Sequence, residues 1–151
     1  MNTSPAAAPH APSASALSSK RRDTLKNVTE ASGRVLLAVL FLLSGVGKLG
    51  AYKATAAYMA SVGVPGALLP AVIATELLGS LAIILGWKAR VAAFLLAGFS
   101  VLTALTFHNN LADQTQMIMF FKNLSIAGGF LLLVANGAGP LSLDRRFASG
   151  L

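Results

Sequence analysis

The chain has 151 residues, of which 55% are hydrophobic and only 11% charged, and its mean hydropathy is +0.69. Such a balance excludes an ordinary water-soluble domain of this size and describes an integral membrane protein. Lys and Arg outnumber Asp and Glu by 12 to 5, yet no basic patch is interleaved with aromatics, so the excess reads as topology determinants and not as a nucleic-acid surface. The chain has no cysteine, which excludes thiolate catalysis, disulfide relay and Cys-ligated metal or iron–sulfur centres within it.

Residues 1–28 are expected to form a disordered, basic N-terminal tail. The first part, MNTSPAAAPHAPSASALSS, is rich in Ala, Ser and Pro and has no apolar period. The KRRDTLK block that follows precedes an apolar run too long for a signal peptide and without a small-residue cleavage site, so the run is read as a retained helix. A four-span domain over 29–140 then carries apolar segments at about 31–50, 68–86, 89–107 and 117–136, each near the ~20 residues that cross ~30 Å of hydrocarbon. The fold class is therefore all-α, an integral membrane four-helix bundle. Between the first two spans, AYKATAAYMASVGVPG suits a short interfacial helix ended by Pro65-Gly66. Trp87 suits a second interface, Gly137, Gly139 and Pro140 stop the last span, and 141–151 is read as a short cytoplasmic tail.

The cations flanking the spans set an expected orientation. Lys20, Arg21, Arg22 and Lys26 precede span one, Lys88 and Arg90 join spans two and three, and Arg145 and Arg146 follow span four. All three groups share one side of a four-span protein, whereas the opposite loops hold only Lys53 clearly outside the membrane. The positive-inside rule then puts both termini in the cytoplasm.

Four ionisable residues lie in or at the ends of the spans on the outer half: Lys48, Glu76, His108 and Lys122. A Lys or Asp at a span centre costs about 2.5–3.5 kcal/mol on translocon scales, so such groups face the bundle interior and pair. Counting from the cytoplasmic ends at ~1.5 Å per residue places Lys48 and Lys122 level at ~21 Å, Glu76 at ~16 Å and His108 at ~27 Å. These depths describe a pocket opening outward, with His108, Asn109 and Asn110 at its rim, two lysines in its wall and a carboxylate at its floor. In span one Arg34, Phe41, Ser44 and Lys48 share a face; in span four Lys122, Ser125, Gly129 and Asn136 do.

Plainer readings stand beside this one. Both lysines lie close enough to the outer interface to snorkel, and a buried Glu76 ion pair can serve bundle specificity alone. His108 is read as a rim hydrogen bonder and not a metal ligand, because no second ligand has suitable spacing. Ser44, Gly45, Gly47, Gly79, Ser80, Gly128 and Gly129 most simply permit close helix approach. SGVG lies mid-span without a preceding strand and is not a phosphate loop.

The segments GRVLLAVLFLLSGVGKL, ASVGVPGALLPAVIATELLGSLAIILG and the FH preceding QTQMIMFFKNLSIAGG resemble the DoxX-like membrane proteins over about residues 31–136. Arg34, Lys48, Glu76, His108, Lys122 and Asn123 match that family's polar positions. The resemblance implies a four-helix protein of the bacterial inner membrane. Some relatives look like small subunits associated with thiosulfate and quinone chemistry, and others are linked to complexes with soluble redox enzymes. The absence of cysteine weighs against direct sulfur transfer here.

The resulting expectation is an accessory component of a membrane redox system, not an enzyme on its own, with an outward pocket of Ser44, Lys48, Glu76, His108, Lys122 and Asn123 for a quinone head group or a small anion. Two lysines against one carboxylate leave a net positive charge in a low-dielectric site, which favours such ligands. No intrinsic cofactor or metal is expected. The expected partners are the lipid bilayer and a soluble redox enzyme or oxidoreductase subunit, with no nucleic acid. Two alternatives stay open: a small solute exporter or permease using Glu76 as a protonatable coupling group, and a scaffold that anchors a soluble redox enzyme.

Overall fold

The computed structural model describes residues 13–149. Helix α1 (Ala14–Gly50) is followed by a short α2 (Tyr52–Ser61), a 3-10 turn (Gly66–Leu68), α3 (Leu69–Leu85), α4 (Ala89–Phe107), α5 (Gln114–Asn136) and a terminal α6 (Leu143–Ala148). Four of them, α1 and α3 to α5, are long and apolar enough to cross a membrane. The expected four-helix membrane bundle is what forms.

The N-terminal part of the chain differs from the sequence reading. Residues 14–28, placed in a disordered tail, are helical and continuous with span one, and Lys26 pairs with Glu30 one turn further on at 3.8 Å. Residues 15–29 contain neither Gly nor Pro to stop the helix from extending backwards. The first part of the expected tail, residues 1–12, lies outside the described residues. At the other end, the expected C-terminal tail folds back as α6, whose Ser142 Oγ accepts from Arg145 N at 3.3 Å.

The helix ends explain the turns. Pro70 lies in the first turn of α3, and Gly86, at φ 67 and ψ 38, ends that helix in the left-handed conformation that spares a Cβ clash. Asp113 caps α5, its carboxylate accepting from Gln116 N at 2.8 Å. An Asp followed three residues later by a Gln is a helix-start signal, and it moves the helix start to Gln114 from the expected 117.

Within the bundle α1 packs on α3, α3 on α4 and α4 on α5, whereas α1 and α5 meet only narrowly. Their meeting point is closed by Phe41 against Phe130, with ring centroids 5.4 Å apart, and by Gly129, where an added Cβ would stand 3.0 Å from Leu37. Gly45 and Gly79 allow equally close approach: a Cβ there would stand 2.7 Å from Leu77 and 3.0 Å from Leu96. Gly47 and Gly128, expected to act alike, face open space. The main core is small and aromatic, with Ala38, Phe41, Ile83, Ala93, Leu96, Ala97, Ala127 and Phe130 buried together. Met59, Leu69 and Ile73 form a second cluster beneath α2. The outward faces carry exposed leucines such as Leu36, Leu78 and Leu132, a surface suited to acyl chains and not to water.

Candidate functional site

Beyond the Phe41–Phe130 contact lies a cavity of about 610 Å³ lined by residues of all five helices α1 to α5. From α1 it is lined by Leu40, Phe41, Leu43, Ser44 and Lys48, from α3 by Val72 and Glu76, and from α4 by Phe99, Thr103 and Phe107. Lys122 and Asn123 of α5 face it, and Thr55, Tyr58 and Met59 of α2 cover one end together with His108.

Its polar centre joins α1 to α3. Lys48 Nζ donates to both carboxylate oxygens of Glu76, at 2.8 and 2.9 Å, and to Ser44 Oγ at 2.6 Å. Ser44 Oγ in turn donates to Glu76 Oε1 at 3.1 Å. Ser44 and Lys48 are one helical turn apart on α1 and so reach the same carboxylate. Gly45 brings α1 against α3 at that level, since its added Cβ would stand only 3.3 Å from Glu76 Cβ. Glu76 is 3% exposed and its oxygens are engaged by this pair of residues, the arrangement that makes a carboxylate tolerable away from water.

Lys122 shares the cavity wall but not the ion pair. Its Nζ lies 3.0 Å from Met119 Sδ, a weak acceptor, and the ion pairs among the described residues are Lys26–Glu30 and Lys48–Glu76. Asn123 is buried and donates to Met119 O at 3.0 Å. The face of α5 turned inward carries Asn123, Ala127 and Phe130; Ser125 and Asn136 are exposed. The expected stripe through Lys122, Ser125, Gly129 and Asn136 is therefore rotated by about one residue, ~100°. The buried face follows Asn123 because its amide satisfies itself on the helix's own carbonyl, which an ammonium does less well in a packed seam.

His108 lies at the covered end, its Nδ1 2.8 Å from Gln116 Oε1. Tyr58 stacks on Phe107 beside it, with centroids 5.7 Å apart and rings inclined by 29°. Asn109 and Asn110, expected at the rim, do not line the cavity. No group of three or more His, Cys, Asp or Glu residues able to hold a metal occurs among the described residues. Sequence reading missed Tyr58, Thr103 and Gln116 as neighbours of the site. Tyr58 carried the signal of an aromatic on a short helix beside a span, and the other two carried none.

Arg34 sits at the far end of the bundle, away from the cavity. Its guanidinium donates to the carbonyls of Ala138, of Leu141 at 2.7 Å and of Ile84 at 3.4 Å. It thus ties α1 to the end of α3 and to the segment after α5. Beside it Asp144 accepts from the backbone N–H of Lys88 and Ala89, at 2.6 and 2.9 Å, and so caps α4 from a distant part of the chain. Arg34 thus fastens the helix ends, and the cavity's polar groups are Ser44, Lys48, Glu76, His108, Lys122 and Asn123 with Thr55, Thr103 and Tyr58.

These features define a four-span helical membrane protein with a Lys–Glu pair, its carboxylate buried, at the wall of an apolar cavity. Comparison with known sequences then supplies the family. A family profile described as DoxX matches residues 31–109, and the chain belongs to the DoxX family. It is 46% identical over 121 residues to inner membrane protein YqjF of Escherichia coli (strain K12), covering 80% of this chain and 93% of that protein. It is 39% identical over 121 residues to inner membrane protein YphA of the same organism, covering 75% and 86%. A shorter similarity, 30% over 79 residues, reaches the ER-derived vesicles protein ERV29 of Saccharomyces cerevisiae, of which it covers 26%. No solved structure matches the chain. The protein is accordingly a multi-pass inner-membrane protein.

Proposed function

We propose that this DoxX-family protein binds a quinone head group, or a small anion of similar size, in the cavity between α1 and α5, and serves a membrane redox system as an accessory component. The observation that carries the reading is the cavity itself: about 610 Å³ of mostly apolar and aromatic wall, with polar groups gathered at Lys48, Glu76 and Lys122. Such a volume is in the range of small-molecule sites, and a few convergent polar groups in an apolar wall are what orient a ligand there. Glu76 neutralises Lys48, so Lys122 supplies the net positive charge, and an oxygen-bearing ring fits that surplus better than a cation does.

The proposed orientation places both termini in the cytoplasm, on the strength of the cations that flank that end of the bundle, and puts the cavity in the outer half of the membrane. A soluble redox enzyme or oxidoreductase subunit is the proposed partner. The test is extraction of lipids from the purified protein and thermal unfolding with and without added quinone. Co-purifying quinone and a quinone-dependent rise in unfolding temperature are expected; absence of both sinks the reading.

A solute exporter is the second reading, favoured by the burial of a titratable carboxylate against a cavity. The unbroken course of α1, α3, α4 and α5 counts against it, since transporters of the inverted-repeat kind bind substrate at interrupted helices. Flux into proteoliposomes that disappears in Glu76→Gln, together with no quinone binding, reverses the order.

A further inference from the structure

The cavity reaches the outer surface of the bundle along the membrane-spanning helices as well as near its expected rim. At the end remote from Phe41–Phe130, α2 lies over it: Met59 is 3% exposed, His108 is held by Gln116, and Tyr58 stacks on Phe107 with its outer side exposed. On the flank between α1 and α5 lining residues are exposed within the span itself. Leu40 and Leu43, which line the cavity from α1, are 45% and 66% accessible, and Lys122 across from them on α5 is exposed too. All three lie inside helices long and apolar enough to cross the membrane, so the medium at that flank is acyl chain and not water.

We infer that the cavity is loaded laterally, through a portal between α1 and α5 edged by Leu40, Leu43 and Lys122, and that its natural occupant is an amphipathic ligand whose apolar tail remains in the bilayer. The inference rests on the ligand reading for the head group and adds the tail and the route. A tail lying across Leu40 and Leu43 keeps its apolar surroundings throughout, so only the head group changes medium. Lys122 stands at the portal with a thioether for a partner, so its ammonium is free to meet the oxygen of an arriving head group before the ring reaches the Lys48–Glu76 centre. A long, flexible lysine stem at the edge of the hydrocarbon region is suited to that role.

Two experiments test this, and they fail separately. In nanodiscs, a tail-less benzoquinone and the same ring with a long isoprenoid tail are titrated against the wild type, Leu43→Trp and Leu40→Trp. Both residues are substantially exposed, so an indole can be carried without entering the core. A rise of about tenfold or more in Kd for the tailed quinone, with the tail-less one within about twofold, is expected; equal behaviour of the two ligands overturns the portal. The second experiment needs no quinone. Because the chain has no cysteine, Thr103→Cys places a single thiol in the cavity wall. In native membranes a lipid-soluble maleimide should label it, a membrane-impermeant one should not, and Leu43→Trp should suppress the labelling. Labelling by the impermeant reagent, or none by the lipid-soluble reagent in a thiol that reacts after detergent denaturation, overturns lateral loading. Should wild type bind neither quinone, the quinone reading falls and the thiol result alone decides the route.

Discussion

Lys48 holds both oxygens of Glu76 across the α1–α3 seam, at 2.8 and 2.9 Å, and Ser44 closes the triangle by accepting from the lysine and donating to the carboxylate. The pair joins residues 28 positions apart, and Gly45 makes the approach of the two helices possible. It is an architectural contact and a wall of the cavity at once, so its two roles have to be separated by experiment.

Glu76→Ala removes one partner and leaves an ammonium facing a low-dielectric seam, which typically costs about 3–5 kcal/mol. Lys48 retains some exposure toward the cavity, so the loss should fall at the lower end. Glu76→Gln combined with Lys48→Met should recover thermal stability in detergent, whereas Glu76→Gln with Lys122→Met should not. Equal rescue by both lysine variants, or an unchanged unfolding temperature in Glu76→Ala alone, refutes the pairing.

Lys122→Met should do the reverse. The side chain is exposed and its contact is a thioether, so stability should change by no more than about 0.5 kcal/mol. Binding of a quinone or small anion should weaken roughly ten- to hundredfold, the loss of one hydrogen bond to a charged donor, about 1.5–3 kcal/mol. Isothermal titration beside a melting curve separates the two effects. A destabilised protein with unaltered affinity would make Lys122 a structural residue.

Much of this was legible in the sequence for a plain reason: charge inside an apolar segment is expensive, so each such residue advertises itself. Counting rise per residue put Lys48 and Glu76 within reach of one another, and the facing stripe of Arg34, Phe41, Ser44 and Lys48 is half-buried or buried as that count requires. Rotation was legible only where one residue type can satisfy a face. On α5 both Lys122 and Asn123 are polar, and sequence periodicity does not distinguish an amide that bonds its own helix from an ammonium turned to the cavity. The covering of the cavity by α2 was hidden because it depends on Tyr58 meeting Phe107, a contact between segments with no local signal. Nor did the sequence reveal that Asp144 caps α4, since a cap supplied from 55 residues away follows no local motif.

That distant cap gives a third test. Lys88 stands at φ 45, a conformation costly for a residue with a Cβ, and both its N–H and that of Ala89 rely on the Asp144 carboxylate. Asp144→Ala should cost about 0.5–2 kcal/mol, the usual worth of an N-cap, and Asp144→Asn less. Proteolysis should then cut the segment after Asn136 more readily than in the wild type. Unchanged cleavage in Asp144→Ala would mean that Arg34 alone holds that segment.

Arg34 is the stronger fastening and gives the last prediction. One planar guanidinium reaches carbonyls on two parts of the chain, Ile84 at the end of α3 and Ala138 and Leu141 after α5. The last carbonyls of a helix, such as that of Ile84, and those of the segment after α5 lack an intrahelical partner, so a donor there satisfies groups that would otherwise go unpaired. Arg34→Ala removes that donor set and should destabilise by about 2–4 kcal/mol, since each abandoned buried acceptor costs about 1–3 kcal/mol. Arg34→Lys keeps the charge but has a compact ammonium in place of a forked donor, and it should recover less than half of the loss. Because Arg34 lies at the opposite end of the bundle from the cavity, quinone affinity of whatever folded protein remains should match the wild type. Full rescue by lysine would show that charge, and not the fork of donors, fastens the helix ends; a loss of affinity in well-folded Arg34→Lys would show that the two ends of the bundle are coupled.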